Sequence, residues 1–419
     1  MPSLVRGERI PTIHLTETVI VQDYLAEGGQ GEVYKVDYNG KPCALKWYKR
    51  PVPPDAFYDN LLSNVKKGAP NEHYLWPLML TAKYKGSYGY IMELRPQKYH
   101  EFGEFLLNIV RFNSYEAMLT AAFNIVESFR LLHSKGYSYQ DVNEGGFFIN
   151  PMDGDVLICD NDNVAPYGVN LGVKGMPRYM SPEVVLDITR PNTHSDRFSL
   201  AILLFRLFYI DHPLEGQYTI QFPLTDAIGA QLYGVNPIFV YDPKNDKNRP
   251  HPEAQPNVIK RWGMYPPDLQ MAFTKAFTKG MKDINSRITE MEWEETLVRV
   301  RGMLVTLAGR EQFINIYAKQ KLPEGCRIIQ FPEYVVALAG NSKIYQCHAD
   351  QYSADYMTVA GVVKASISNK NVIGLGNMTD KVWKAKTPDG QIVEVRPNAY
   401  AKLDSGMEID FGGTVGKVF

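Results

Sequence analysis

Residues 25–48 read LAEGGQGEVYKVDYNGKPCALKWY, and this stretch decides how the chain begins to fold. Its runs of valine, tyrosine and tryptophan favour β-strands. Gly28, Gly29 and Gly31 punctuate the first turn, and Asn39-Gly40 is a strong signal for a two-residue hairpin. The pattern predicts antiparallel strands. The glycines fit a tight hairpin as well as they fit a loop that lets backbone N–H groups approach phosphates.

Helical periodicity replaces this pattern further along the chain. Residues 54–67 predict one short helix, 114–134 a longer one with regularly spaced apolar residues, and 195–209 another. More helices follow to about residue 308. A β-rich unit followed by a helical unit indicates an α+β fold rather than alternating strands and helices.

The composition is that of a globular protein with more than one domain. The chain has 419 residues, 45% of them hydrophobic and 22% charged, and a net charge of -1. Such a charge gives no reason to expect nucleic acid or an anionic membrane as partner. The N-terminus lacks an apolar signal core, and the apolar run 200–207 is too short to span a bilayer. The four cysteines form no CxxC pair and suit a reducing compartment, so we expect a cytoplasmic protein.

The character of the sequence changes again beyond about residue 322. Alternating strands flank the Pro-Asp-Gly turn at 388–390, and the pattern continues to the last residue. Residues 322–419 therefore predict a separate all-β domain.

Three charged residues follow one another in a suggestive order. Lys46 closes the strand CALK, Asp141 follows a long predicted helix, and Asp160 follows a short apolar strand. A lone loop aspartate usually caps a turn. Two aspartates 19 residues apart, each beside a short strand and downstream of Lys46, are harder to explain in that way.

Together these motifs resemble the eukaryotic-type (Hanks-type) Ser/Thr protein kinases, over residues 15–308. Gly175 to Glu183 (GMPRYMSPE) is similar to a segment that follows the metal-binding aspartate in that family. Arg287 matches the arginine that pairs with this glutamate, and Asp196 the aspartate that braces the catalytic loop. The resemblance implies a bilobal kinase fold and structural roles for these residues. The implied parts are a β-rich lobe (1–93), a helical lobe (94–308) and a linker (309–321).

The resemblance also implies the chemistry. It implies that the protein is an ATP-dependent kinase of bacterial type that acts on Ser/Thr of a protein with Mg²⁺ or Mn²⁺. Asp141 would orient the substrate hydroxyl, Lys46 would hold phosphates and Asp160 would bind metal. The nucleotide would be contacted by Gly28, Gly29, Gly31, Val33, Ala44, Lys46, Met92, Glu93 and Leu94.

Several positions depart from the family pattern. Gly146 stands where the family has a metal-binding asparagine, and Asn143 where it has a lysine. Asn143 or Asp162 could supply the missing metal oxygen, and Asp59 is the nearest acid that could pair with Lys46. Two interpretations stay open. One is an active kinase with a non-standard metal site, and the other is a pseudokinase that binds nucleotide or acts as a scaffold.

The catalytic loop also lacks the arginine that receives a phosphorylated activation loop, since Gln140 precedes Asp141. Between Asp160 and Glu183 the hydroxyl-bearing residues are two tyrosines and one serine. We therefore hypothesise that phosphorylation of this segment does not switch the enzyme on.

The C-terminal region resembles a forkhead-associated (FHA) domain. Asn377 lies near the position of that family's NGT turn, and residues 403–412 (LDSGMEIDFG) are similar to its closing strands. The resemblance implies a small all-β sandwich. The phosphothreonine-binding residues have no match beyond His348, which indicates a structural or docking role for this sandwich. The layout is similar to bacterial kinases that accompany a metal-dependent phosphatase and a von Willebrand A-type protein, which would be partners by analogy.

Overall fold

The computed structural model describes residues 2–223, 225–318, 321–366 and 372–419. The chain begins with six strands: β1 (Arg9–Pro11), β2 (Thr18–Glu27), β3 (Gly31–Tyr38), β4 (Lys41–Tyr48), β5 (Met79–Leu80) and β6 (Gly89–Glu93). They form one antiparallel sheet in the order β1-β2-β3-β4-β6-β5. The predicted Asn39-Gly40 hairpin is confirmed, because both residues adopt the positive φ that such a turn requires.

Helix α1 (Asp55–Lys67) lies beside this sheet and contacts β5. Phe57 and Leu61 are one turn apart on its buried face and belong to the same hydrophobic cluster as Tyr48 and Tyr90 of the sheet. The opposite face of the helix is polar and exposed. An amphipathic helix therefore closes one side of the β-rich lobe.

The second lobe is helical. Its helices are α2 (Phe102–Leu106), α3 (Tyr115–Ser134), α4 (Pro182–Val185), α5 (Thr193–Tyr209), α6 (Asp226–Gly229), α7 (Pro256–Trp262), α8 (Pro267–Phe277), α9 (Lys279–Lys282) and α10 (Glu290–Gly302). Every residue from 198 to 209 is buried, so α5 is the central helix of this lobe. Ser114 caps α3 by accepting a hydrogen bond from Ala117 N, close to its predicted start.

Short strands hold the loops between the lobes. They are β7 (His100–Glu101), β8 (Tyr137–Ser138), β9 (Phe147–Ile149), β10 (Val156–Ile158) and β11 (Ala165–Pro166). Strands β9 and β10 pair antiparallel, and β8 pairs with β11. The pairing brings the residues that follow β8 and β10 to the same side of the molecule.

A hairpin leads out of the helical lobe. Strand β12 (Leu304–Leu307) pairs with β13 (Arg310–Phe313), and Tyr115 at the start of α3 donates its backbone N–H to Glu311 in β13. The predicted boundary at 308 and the start of the predicted linker therefore fall inside a hairpin that is part of the lobe. Two residues of that linker, 319 and 320, lie outside the described residues.

The C-terminal region consists of two sheets around one core. The strands are β14 (Arg327–Gln330), β15 (Val335–Leu338), β16 (Lys343–Tyr345), β17 (Val359–Ala365), β18 (Ile373–Asn377), β19 (Trp383–Lys386), β20 (Ile392–Val395), β21 (Tyr400–Lys402), β22 (Glu408–Asp410) and β23 (Val415–Val418). One sheet has the order β15-β14-β23-β22-β19-β20 and the other β16-β17-β18-β21. Leu375 of one sheet and Trp383 of the other share the same hydrophobic cluster. A single turn of helix, α11 (Gln346–Ala349), interrupts the otherwise all-β pattern.

The β domain packs directly on the helical lobe around Arg301 of α10. Its guanidinium lies 3.4 Å from the ring centroid of Tyr345 in the β domain and 4.3 Å from that of Phe123 in α3. It also donates a hydrogen bond to the carbonyl of Tyr356, whose ring stacks on Phe123. We call these four residues the Arg301 junction.

In the ranges that the structure describes, no helix is both long and apolar enough to cross a membrane.

Candidate active site

The glycine-rich turn joins β2 to β3 in the sheet of the β-rich lobe. Gly28 closes it by donating its N–H to the carbonyl of Gly31 at 2.8 Å. A Cβ on Gly31 would lie 2.6 Å from the Trp47 carbonyl oxygen, so the approach of β4 requires this glycine. A Cβ on Gly29 would meet no atom within 4 Å. The open side of the turn thus leaves space for a ligand.

Apolar side chains line the sheet beneath this turn. Ala44 pairs in register with Met92, and both are buried in one cluster against which Val33 packs. Leu94, half-buried, joins the same cluster, whereas Glu93 is exposed. The cluster includes Leu157 of β10, which the sequence analysis did not single out. The arrangement offers apolar side chains against which an aromatic ring can pack.

Lys46 lies at the centre of the site and is buried. Its Nζ is 2.9 Å from Asp160 Oδ1 and 2.9 Å from Asp162 Oδ2. Burial lowers the pKa of Lys46, but the charges of Asp162 and Asp160 outweigh burial and raise that pKa above its ordinary value. The amine is therefore a cation at neutral pH.

Two residues predicted at this site have other surroundings. Asp162 was a candidate metal ligand, but its oxygens accept hydrogen bonds from Lys46 and, at 2.7 Å, from the Tyr48 hydroxyl. Asp59 was the candidate partner of Lys46, but it is exposed on α1. The carboxylate that pairs with Lys46 in a buried setting is Asp162, because β10 directs the loop after it back towards the sheet.

Asp160 has the geometry of a functional residue. Its side chain is 46% exposed, and its backbone adopts φ 55° and ψ 34°, a conformation uncommon for residues other than glycine. The next residue, Asn161, donates its side-chain amide to the carbonyls of Leu75 and Ile158, both at 2.9 Å. These bonds hold the strained turn in place.

Asp141 is partly buried in the loop after β8. Burial raises the pKa of Asp141 above its ordinary value, although a hydrogen bond from Asn143 lowers it in part. The Asn143 amide lies 3.1 Å from Asp141 Oδ1, and its carbonyl oxygen accepts the N–H of Gly145 at 2.9 Å. Asn143 was a second candidate metal ligand, but here its oxygen caps a turn while its amide orients Asp141.

The predicted bracing residue Asp196 lies under this loop. Its carboxylate accepts the backbone N–H groups of Tyr139 and Gln140 at 2.6 and 2.9 Å, and it lies 3.1 Å from His133 Nε2. Buried charge-assisted hydrogen bonds of this kind fix a loop in one conformation. The other ring nitrogen of His133 lies 2.9 Å from Glu290, which the sequence analysis missed.

Tyr139 occupies the space beside Gly146. Its hydroxyl donates to the carbonyl of Cys159, and a Cβ on Gly146 would lie 2.8 Å from that hydroxyl. The glycine therefore accommodates the tyrosine. A larger residue at position 146 requires a change at position 139 as well.

The structure brings the predicted pair of Glu183 and Arg287 together. Two parallel hydrogen bonds of 2.8 and 2.7 Å join the guanidinium to the carboxylate, and Arg287 is buried. The pair connects the segment after the site to the turn before α10. Its role in this arrangement is structural.

A divalent cation fits this site through one side chain. Among the described residues there is no group of three histidine, cysteine, aspartate or glutamate side chains that could hold a metal by itself. Asp160 presents a half-exposed carboxylate, which suits Mg²⁺ because this ion takes one or two carboxylates and completes its shell with phosphate oxygens and water. The donor set is thus compatible with a metal that arrives with a nucleotide.

Comparison with known proteins agrees with this geometry. Residues 20–286, more than half of the chain, match the family described as "Protein kinase domain". "Protein kinase YegI" of Escherichia coli (strain K12) is 28% identical over 200 residues, which cover 46% of this chain and 30% of that protein. "Probable serine/threonine-protein kinase gdt4" of Dictyostelium discoideum is 25% identical over 203 residues, which cover 46% of this chain and 12% of that protein. The match thus spans less than a third of each relative's length.

Proposed function

Because this chain belongs to the protein kinase family, we propose that it transfers the γ-phosphate of ATP to serine or threonine of a protein substrate. The observation that carries the proposal is the contact of Lys46 with Asp160, 2.9 Å apart although 114 residues separate them in sequence. Asp141 is close enough to both for their charges to affect its pKa. A cation, a metal-binding carboxylate and a base candidate thus meet below the glycine-rich turn.

Each of these residues has one part in the reaction. Lys46 binds the α- and β-phosphates, and the apolar surface of Val33, Ala44 and Met92 holds the adenine. Asp141, with its raised pKa, accepts the proton of the attacking hydroxyl, oriented by Asn143. When bound at Asp160, a Mg²⁺ or Mn²⁺ ion neutralises charge on the phosphates.

The site offers a metal ion one protein ligand, and that ligand does not come from the catalytic loop. Gly146 has no side chain, the Asn143 oxygen caps a turn, and Lys46 and Tyr48 engage Asp162. We propose that a single divalent ion supports transfer, with Asp160 as its protein ligand.

The activation segment is held without a phosphate. Gln140 donates to the carbonyl of Val169 at 2.6 Å and accepts from the amide of Asn170 at 2.9 Å. Neutral hydrogen bonds thus replace the arginine–phosphate contact that orders this segment in many kinases. We expect activity without phosphorylation here, and a phosphosite within 161–180 that activity requires would contradict this.

A pseudokinase is the alternative function. The observation in its favour is that Asn143 hydrogen-bonds to Asp141 and Gly145. Tyr139 fills the space beside Gly146, so the usual second metal ligand has no substitute there. Such a protein binds ATP but transfers no phosphate, or acts as a scaffold.

The β domain is proposed as a degenerate FHA-like domain with a docking role. Asn377 is buried and donates its amide to the carbonyls of Lys381 and Val395, so it serves the domain's own structure. His348 is also buried, and burial, with the nearby Arg301 charge, lowers its pKa to about 3. Neither residue is available to a phosphopeptide. A metal-dependent phosphatase and a von Willebrand A-type protein are the proposed partners, and the cytoplasm is the proposed location.

Labelled ATP tests the proposed reaction. The protein is incubated with ATP labelled at the γ-phosphate, a generic basic protein and Mg²⁺ or Mn²⁺, and the product is hydrolysed in acid. We expect labelled phosphoserine or phosphothreonine. Label on tyrosine refutes the proposed specificity, whereas ATP binding without any transfer favours the pseudokinase.

A further inference from the structure

The two carboxylates that contact Lys46 differ in environment. The Asp162 side chain has no exposed area, whereas that of Asp160 is 46% exposed. A fully buried carboxylate must keep its partners, because losing them leaves an uncompensated charge in a medium of low polarity. A half-exposed carboxylate can replace one partner with water or an ion. The two ion pairs of Lys46 are therefore not equivalent.

Asp162 is fixed to the sheet of the β-rich lobe. Tyr48, two residues after Lys46 in β4, donates its hydroxyl to Asp162 at 2.7 Å, and the Tyr90 hydroxyl in β6 lies 3.4 Å away. Lys46 itself is the third donor, 2.9 Å from the carboxylate. Three donors from two neighbouring strands thus surround one buried carboxylate.

Helix α1 brings no carboxylate to Lys46. The face it buries carries Phe57 and Leu61, and its acids Asp55 and Asp59 are exposed, with Asp55 paired to Lys83 at 2.9 Å. In protein kinases a glutamate of the corresponding helix usually pairs with the lysine, and movement of that helix controls activity. The described residues of helix α1 include no such glutamate, so this form of regulation has no counterpart in the helix.

Helix α1 and the segment 160–164, which contains the proposed metal ligand Asp160, instead form one unit. Asn60 and Asn64 of α1 both donate to the carbonyl of Val164, at 2.8 and 2.9 Å. Asn161, three residues earlier, is bonded to Leu75 and Ile158. Residues 160–164 are thus hydrogen-bonded both to helix α1 and, through Asn161, to the backbone of Leu75 and Ile158.

We propose that Asp162 is the positioning residue for Lys46, and that it leaves Asp160 as the carboxylate available to a metal ion. Lys46 then keeps its orientation through Asp162, whatever Asp160 binds. The site is assembled without a movement of helix α1. This inference rests on the proposed function for its meaning in catalysis, but it makes a statement about nucleotide binding that can be tested separately.

The test compares ATP binding with and without Mg²⁺ by titration calorimetry. In Asp162→Asn the one carboxylate left to Lys46 is Asp160, so the ion pair competes with the metal. We expect Mg²⁺ to tighten ATP binding by the wild type, and this gain to fall about tenfold in Asp162→Asn. Asp59→Asn is the matched control, because it removes an equal charge from helix α1, and it should keep the full gain.

A second variant covers the case in which Asp162→Asn does not fold, as judged by its thermal unfolding. Tyr48→Phe removes one hydroxyl donor to Asp162 and should lower the Mg²⁺ gain in the same direction by a smaller factor. An unchanged gain in the folded variants, an equal loss in Asp59→Asn, or equal weakening with and without Mg²⁺ overturns the proposal. Absence of ATP binding by the wild type contradicts it too. If ATP binding depends on Mg²⁺ as expected but the protein transfers no phosphate, the proposed kinase activity is refuted and the role of Asp162 stands.

Discussion

The hydroxyl of Tyr139 lies 2.8 Å from the point where a side chain at Gly146 would begin. The same hydroxyl donates to the carbonyl of Cys159, the residue before Asp160. One ring therefore fills the space of a missing side chain and supports the backbone next to Asp160, the proposed metal ligand. Tyr139 and Gly146 are therefore complementary in size.

This coupling predicts that the usual asparagine cannot simply be restored. Gly146→Asn should destabilise the protein by about 1–3 kcal/mol, because the new Cβ overlaps the tyrosine hydroxyl in a packed interior. Tyr139→Phe removes that oxygen, and the ring carbon that carries it is 3.9 Å from the new Cβ. Urea unfolding of both single variants and the double variant measures the coupling. Strict additivity of the two effects contradicts the account.

The buried His133 predicts a loss of stability at alkaline pH. Burial lowers the pKa of His133, but hydrogen bonds to Asp196 and Glu290 outweigh burial and raise it to about 9. A folded-state pKa above the unfolded value of about 6.5 gives stability that is complete below that pH and is lost up to about pH 9. The loss should amount to about 3 kcal/mol. Unfolding free energies measured between pH 6 and 9 check it.

His133→Asn is the control for this prediction, because asparagine does not titrate. The variant should be less stable at pH 6 and should lack the part of the pH dependence that His133 causes. Parallel curves for the variant and the wild type would show that His133 keeps one protonation state throughout.

The Arg301 junction predicts that the β domain and the helical lobe stabilise each other. Arg301→Ala removes the contacts with the Phe123 and Tyr345 rings and the hydrogen bond to Tyr356, so we expect a loss of about 2–3 kcal/mol. Arg299→Ala is the matched control on the same helix, since Arg299 has an exposed ion pair with Glu295 at 3.7 Å. Denaturant unfolding of the two variants compares them, and equal losses would show that the junction carries no stability.

The order of motifs was the most informative feature of the sequence. It predicted the lobes and the convergence of Lys46 with Asp160, because strand and helix periodicities are strong over long segments. It did not predict that Lys46 would contact Asp162. The sequence shows two aspartates in the short turn at 160–162 but does not show which of them is buried. The direction of the backbone in the folded chain decides that.

The missed features all depend on contacts between distant residues. Nothing near Gly146 indicates that Tyr139 fills its space. The hairpin at 304–313 contains Ala308-Gly309, a weaker turn signal than Asn39-Gly40, and was divided between a lobe and a linker. Basic residues are common near the ends of helices, so the sequence around Arg301 does not indicate that it is buried between two aromatic rings.

Phosphate transfer is the central claim, and one comparison tests it most directly. Wild type, Lys46→Met, Asp160→Asn and Asp59→Asn are incubated with γ-labelled ATP and Mg²⁺, and label on protein is counted. We expect transfer by the wild type and by Asp59→Asn, and a loss of at least about a hundredfold in the other two, because each lacks a group that holds the phosphates or the metal. Transfer that survives in Lys46→Met and Asp160→Asn would contradict the site, and no transfer by any of the four would contradict the reaction.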